Sequence, residues 1–403
     1  MPTTNVTGTL AGIGREDHST TSEYRIFGPP GTGKTTALAE LIRRDAAMYG
    51  SDSILVTSFS RTAAAEIANC DLKIDPGHAG TLHAHCYAAL GSPSIAEAHV
   101  SDSNRRNPTL AVTQTAQERR LAGESHFGDD PHKALPGDVL LQELNRLRGL
   151  MVHPNSWPAR VRTFEHKWSQ YKLKASLLDF TDLIETCFRD VSAAPGNPKC
   201  LYCDEAQDLN RLELSLLRKW GQRAAYHVFA FDDDQTIFTF TGATPEAILQ
   251  TDIPGSHKVV LEQSHRVPAA VHTVADRLIR QVSRREPKVY RPRADGGRVV
   301  RLNGGYKAPE LFLVQTVARH LDEGRTVMFL ASSGYMLKPL QMVLRKNAIP
   351  FHNPKSESMR ILESTPPRQP GLGRAPDFSA SRRTSGLGRK GKGLDHQRTT
   401  AVD

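Results

Sequence analysis

Residues 26–36 read IFGPPGTGKTT, and this stretch decides the fold. It fits the pattern G-x-x-x-x-G-K-[ST], with Gly28, Gly33, Lys34 and Thr35 at the fixed positions. Such a segment ends a strand, turns through glycines and starts a helix. Its backbone N–H groups then converge on a cradle for anionic oxygens. Lys34 would reach the β- and γ-phosphates of a bound nucleotide, and the Thr35 hydroxyl would ligand Mg²⁺. Pro29, Pro30, Gly31, Thr32 and Thr36 complete the loop. Upstream, YRIF (24–27) reads as a strand; downstream, TALAELIRR (36–44) has helical periodicity.

Working outward, apolar strands recur behind this loop. SILVTSF (53–59), the run ending in CLYCDE (200–205) and YHVFAF (226–231) alternate with helical stretches. Strand–helix alternation predicts a parallel sheet with helices on both faces, an α/β fold. The first unit is expected over residues 24–90 and 160–254. Between its halves, residues 91–159 turn polar and rich in turn formers, with helical pieces at 115–121 and 139–147, which predicts a helical insertion. Helices resume at 159–173 and 176–189. A second, partial α/β unit is expected over 255–354, with strands at 258–261, 297–302 and 326–331 and helices at 269–282, 310–321 and 337–346. Residues 1–23 and 355–403 lack apolar periodicity and are expected to be disordered.

Composition narrows the class. The chain has 403 residues, 38% hydrophobic and 24% charged, which suits two or three globular domains. No apolar run approaches the ~18 residues of a membrane helix. The N-terminus has no hydrophobic segment of a secretion signal, so the protein reads as cytoplasmic, with no membrane partner. Five cysteines are too few, and odd in number, for a disulfide framework. Cys200-x-x-Cys203 stands without a second ligand pair and reads as two core thiols. Net charge is +9, of which residues 355–403 (ten Lys/Arg, five Asp/Glu) supply +5. A basic balance favours polyanionic partners.

Two further stretches carry chemistry. In CLYCDEAQD (200–208) a strand ends in Asp204-Glu205, where one carboxylate can meet Mg²⁺ and its neighbour can activate water. In FDDDQTIFTFTGA (231–243) three aspartates would repel one another unless exposed or paired. Phe238 and Phe240, two apart, share one face of an extended segment; exposed, they would form a platform for unpaired bases.

In this order the landmarks resemble superfamily 1 DNA helicases of the UvrD/Rep/PcrA type, by motifs over roughly residues 24–354. GPPGTGKTT looks like the family's first motif. SFSRTAAAEI resembles the segment lying along single-stranded DNA, which puts Ser60 and Arg61 on the DNA. GTLHAHCYAAL places His83 at a DNA-contacting histidine. LLDFTDLI is similar to the family's DFDDL segment, and YCDEAQD to its DEAQD box, with Asp204 at the metal and Glu205 at the water-activating position. FDDDQTIFTFTGA resembles GDDDQSIYGWRGA, so Gln235 would sense the γ-phosphate and Phe238 and Phe240 would stack on bases. LEQSHRVP places Arg266 at an arginine finger and His265 on the adenine.

The resemblance implies two RecA-like domains, ATP and Mg²⁺ as cofactors, and hydrolysis coupled to movement on single-stranded DNA and unwinding at junctions with duplex. Lys34, Asp204, Glu205, Gln235 and Arg266 would be the catalytic set. The sequence also departs from the pattern. Thr241 replaces an arginine, the upstream adenine-reading glutamine is not found, and the last two motifs, one carrying a second arginine, are missing. A truncated helicase with impaired turnover is therefore expected, against the alternative of a nucleotide-gated single-stranded DNA-binding module that does not unwind. Oligomeric state is not legible in the sequence.

Overall fold

The computed structural model describes residues 10, 12–14, 22–59, 74–115, 134–250, 252–294, 296–301, 309 and 317–353. Strand β1 (Glu23–Phe27) runs through the glycine loop into helix α1 (Lys34–Tyr49), followed by β2 (Ile54–Ser58), β3 (Ala79–Thr81) and α2 (Leu82–Ala89). Helices α3 (Ser101–Arg106), α4 (Pro136–Gly149), α5 (Ala159–Ala175) and α6 (Phe180–Asp190) come next. The chain then returns through β4 (Cys200–Asp204), α7 (Arg211–Gly221), β5 (Tyr226–Phe231), α8 (Pro245–Leu249) and β6 (Lys258–Val260). Beyond lie β7 (Gln263–Pro268), α9 (Ala269–Ile279), β8 (Arg291–Arg293) and α10 (Lys338–Lys346).

Six strands form one sheet in the order β3-β2-β4-β5-β1-β6, all pairs parallel. This is the expected RecA-like α/β architecture. Every residue of β1, β2, β4 and β5 is buried, as a parallel sheet covered on both faces requires. Alternation sorts the side chains. Tyr24, Ile26, Val56, Cys200, Tyr202 and Val228 pack with Leu38, Leu41 and Ile42 of α1 on one face. Phe27, Leu55, Leu201, Cys203 and Phe229 pack with Leu82 of α2, Ile184 of α6 and Leu217 of α7 on the other. The two thiols of Cys200-x-x-Cys203 thus lie on opposite faces of β4, as core residues.

Register fixes where the chemistry sits. Ile26 lies level with Ala230, and Ser58 with Asp204. The glycine loop and Asp204 therefore emerge at the same edge, beyond the carboxyl ends of the strands, where open α/β sheets bind ligands.

A third apolar cluster joins Val100, the N-cap of α3, Leu141, Leu144 and Leu147 of α4, and Val161, Phe164 and Trp168 of α5. Helices α4 and α5 and the N-cap of α3 thus share one apolar cluster. An ionic network fastens it to α6. Arg148 bonds Asp179 at 3.0 Å and Asp182 at 2.6 Å, and Lys172 reaches both aspartates at 2.5 Å. Trp168 Nε1 donates to Asp179 at 2.9 Å. Burial alone would raise the Asp179 pKa, but Arg148 and Lys172 hold it well below the carboxylate range. Removing one partner of such a buried network typically costs about 3–5 kcal/mol.

Several sequence expectations need correction. Within the stretch 1–23 expected to be disordered, Leu10 and Ile13 are buried in the α1-side core. Strand 258–261, read as the start of the second unit, pairs with β1 and completes the first sheet. Residues 297–301 and 326–331 form no strand, and Val299, Val300, Met328 and Leu330 there are exposed. Among the described residues, the only strands beyond β6 are β7 and β8, a parallel pair. The described residues divide into two compact units, the smaller holding residues 309, 317–328 and 339–353. In the smaller unit residues 317–322 are helical, and Val317, Leu340, Val343 and Leu344 are buried. The expected tail at 355–403 and most of the helix at 115–121 lie outside the described residues. No helix among the described residues is long and apolar enough to cross a membrane.

Candidate functional site

The glycine loop closes on itself between β1 and α1. Gly28 N–H donates to Phe231 O at 3.1 Å, tying the loop to β5. The Lys34 ammonium, nearly buried, donates to Gly28 O at 2.8 Å, and Thr32 Oγ1 donates to Pro29 O at 2.9 Å. Gly33 caps α1 in the left-handed region at φ 89°, and no side chain caps the helix. Helices α2, α6 and α7 are capped by Thr81, Asp179 and Asn210. The first-turn N–H groups of α1 thus keep their positive end open toward an anion. Thr36 is exposed on that first turn.

Thr35 Oγ1 donates to Asp204 Oδ2 at 2.9 Å. A hydroxyl beside a carboxylate is the hard oxygen donor set that suits Mg²⁺. Burial pushes the Asp204 pKa up to about 6, with the Glu205 charge adding to it, while the Thr35 hydrogen bond and the Lys34 charge pull it down. Such an environment favours a cation. Glu205 follows at φ 52°, a left-handed conformation that costs a non-glycine residue roughly 1–2 kcal/mol. Burial, with Glu205 again adding, pushes Asp208 up to about 7.

A chain of hydrogen bonds runs from Glu205 to Gln235. Gln207 Nε2 donates to Glu205 Oε2 at 2.8 Å, and Gln207 Oε1 accepts from Asp232 N–H at 3.2 Å. Gln235 Nε2 donates to Asp232 Oδ2 at 2.7 Å. Sequence reading singled out the two ends and missed Gln207 and Asp232 between them. The three aspartates are paired rather than exposed: Lys288 Nζ lies 3.1, 2.5 and 2.9 Å from carboxylate oxygens of Asp232, Asp233 and Asp234. No sequence signal pointed to Lys288.

Strand β7 lies against the glycine loop. Pro30 O accepts from Ser264 Oγ at 2.8 Å and from Tyr290 OH at 3.1 Å, and His265 N–H donates to Gly31 O at 2.9 Å. A Cβ on Gly31 would fall 2.4 Å from Arg266 Cβ. His265 and Arg266 are thus beside the loop, with exposed side chains.

The predicted aromatic pair forms a cluster. Phe238 and Phe240 have centroids 5.8 Å apart, and Phe59, from the end of β2, adds a third ring 4.7 Å from Phe238. Phe240 is 42% exposed. His83 lies on α2, its ring 6.1 Å from that of Phe180 and its Nδ1 3.9 Å from Glu213 Oε1. Ser60 and Arg61 lie outside the described residues.

Comparison with known proteins bears on the family of the chain. The sequence model of the UvrD/REP helicase N-terminal domain matches residues 15–254. The Bacillus subtilis protein YjcD is 22% identical over 361 residues, covering 81% of this chain and 46% of YjcD. The ATP-dependent DNA helicase PcrA of Staphylococcus aureus is 24% identical over 333 residues, covering 74% of this chain and 44% of PcrA. PcrA of Bacillus subtilis is 30% identical over 125 residues, 29% of this chain and 17% of that protein. The chain spans a little under half the length of the first two.

Proposed function

The chain belongs to the UvrD/Rep helicase family, and from that premise we propose that it binds ATP with Mg²⁺ at residues 28–36 and hydrolyses it to drive movement on single-stranded DNA. Unwinding at junctions with duplex DNA is the proposed outcome of that movement. The observation that carries the reading is the Thr35–Asp204 contact, which brings the loop's hydroxyl and the strand-end carboxylate together across the sheet.

Thr35 and Asp204 would hold Mg²⁺, which supplies neutralising charge to the phosphates when bound. Lys34 would exchange the Gly28 carbonyl for phosphate oxygens. Glu205 would orient a water and take its proton as the water oxygen bonds to the γ-phosphorus. The bridging oxygen then leaves with ADP. Gln235 would contact the γ-phosphate, and Arg266 would place its guanidinium where charge builds. His265 would pack on the base. Phe238 and Phe240 would stack on DNA bases, and His83, Ser60 and Arg61 would contact the strand.

The test is ATP turnover with and without single-stranded DNA, for this chain and for Glu205→Gln. DNA-stimulated turnover that falls at least ~100-fold in the variant is expected, the scale of a lost general base. ATP binding without turnover would instead support a nucleotide-gated DNA-binding module and overturn the motor reading.

A further inference from the structure

We propose that Lys288 is a positioning residue for nucleotide recognition, holding the Asp232–Gln235 loop in the conformation that reads the γ-phosphate. The inference rests on the nucleotide-binding reading above and adds a residue that reading does not contain.

The Lys288 side chain is 1% exposed and faces the Asp232, Asp233 and Asp234 carboxylates at 3.1, 2.5 and 2.9 Å. The surrounding segment grips the same loop: Arg285 pairs with Asp234 at 2.7 Å, and Glu286 N–H donates to Asp233 Oδ2 at 2.7 Å. Three carboxylates in consecutive positions repel one another strongly in a buried setting. A loop of this composition keeps one conformation only while a cation sits among them.

Asp232 is the carboxylate that transmits the effect. Its Oδ1 faces Lys288 and its Oδ2 accepts from Gln235 Nε2. Its N–H donates to Gln207, which holds Glu205. Fixing the Asp232 carboxylate therefore fixes the Gln235 amide directly, while the Asp232 backbone N–H ties the same residue through Gln207 to Glu205. Lys288 itself is enclosed by acidic groups and would touch neither nucleotide nor water, so it acts through Asp232.

The experiment measures affinity for ADP and for the slowly hydrolysed analogue ATPγS by competition with a fluorescent nucleotide, on the full chain with Mg²⁺. In the parent chain ATPγS should bind more tightly than ADP, and Gln235→Ala should erase about tenfold of that preference, a charge-assisted hydrogen bond's worth. Lys288→Met should erase the same preference while leaving ADP affinity within about twofold of the parent, as expected when only the γ-phosphate contact is lost. A merely structural lysine would weaken both nucleotides together, and that result overturns the proposal.

Because Lys288→Met removes the cation that the three buried carboxylates share, a second variant removes the fold from the question. Lys288→Met combined with Asp233→Asn and Asp234→Asn relieves the repulsion but leaves Asp232 unheld. It should still lack γ-phosphate discrimination; recovered discrimination would overturn the proposal. If the parent chain binds neither nucleotide, the nucleotide reading itself fails and the inference falls with it. If the parent discriminates and Lys288→Met does too, the inference alone fails.

Discussion

The Thr35 hydroxyl donates a 2.9 Å hydrogen bond to Asp204 Oδ2 across 169 residues of sequence. Both are proposed ligands of Mg²⁺, but each brings a different property to the site. Thr35 lies in the first turn of α1 beside the backbone cradle, whereas Asp204 brings the buried charge that a divalent cation would satisfy.

Separating these parts gives the first prediction. Asp204→Asn keeps an acceptor for Thr35 but removes the charge. By calorimetry, the parent should bind ATP more tightly with Mg²⁺ than in EDTA. The Asn variant should lose most of that increment, about tenfold or more for one charged ligand, and keep the EDTA-state affinity. Lys34→Ala should weaken binding in both conditions. Equal weakening of both states by Asp204→Asn would make Asp204 a fold residue rather than a metal ligand.

Two glycines of the same loop should behave differently. Gly31 has φ 76°, and a Cβ there would lie 2.4 Å from Arg266 Cβ and 3.1 Å from the Arg266 backbone N. Gly33 has φ 89°, with nothing within 4 Å of its Cβ position. Gly33→Ala therefore carries left-handed strain alone, roughly 1–2 kcal/mol. Gly31→Ala carries similar strain and must also push β7 away from the loop. Thermal unfolding should show the larger drop for Gly31→Ala, by several degrees on the ~2–4 °C per kcal/mol scale of larger domains. Equal drops would mean that β7 yields freely.

What the sequence made legible follows from how local each feature is. The glycine loop is a contiguous backbone device, so its pattern gave both structure and chemistry. Asp204 and Glu205 were readable because an apolar run places them at a strand end. Lys288 was not, because nothing in REPKVY ties a lysine to carboxylates more than fifty positions earlier; only the fold joins them. The strands read at 297–302 and 326–331 failed for a related reason. Val299 and Val300 favour extended backbone, but a strand exists through its partners. None of the described residues pairs with them, and both remain exposed. Phe59 was missed as the third aromatic because it closes a strand that reads as core.

A pH prediction comes from Glu213, 6% exposed in the first turn of α7. Burial pushes its pKa up from 4.5 to about 7, against a backbone hydrogen bond from Asn210 that lowers it. The folded state thus holds this proton more tightly than the unfolded one, so the parent loses stability as pH rises from about 4.5 to 7. Glu213→Gln keeps the cap acceptor and does not titrate. Its stability relative to the parent should rise between pH 4.5 and 7.5, by at most about 3 kcal/mol at 1.36 kcal/mol per pK unit. Paired thermal melts at pH 4.5 and 7.5 measure this; a pH-independent difference would show that the carboxyl titrates normally.

The aromatic cluster lets the proposed DNA binding be tested apart from nucleotide chemistry. Phe240 is exposed, whereas Phe238 is held between Phe59 and Phe240. Truncating Phe240 removes a surface ring without opening the core, so folding and DNA-free ATP affinity should not change. Loss of base stacking is worth ~1–3 kcal/mol, or about 5–150-fold in affinity for an unstructured oligonucleotide. Phe59→Ala would act on the proposed stacking only by loosening Phe238, and should weaken binding less than Phe240→Ala while lowering thermal stability more. Fluorescence anisotropy with a labelled single strand, beside a melt of each variant, reads both quantities. If Phe240→Ala binds the strand as tightly as the parent, the ring is not a base platform and the DNA path lies elsewhere on this surface.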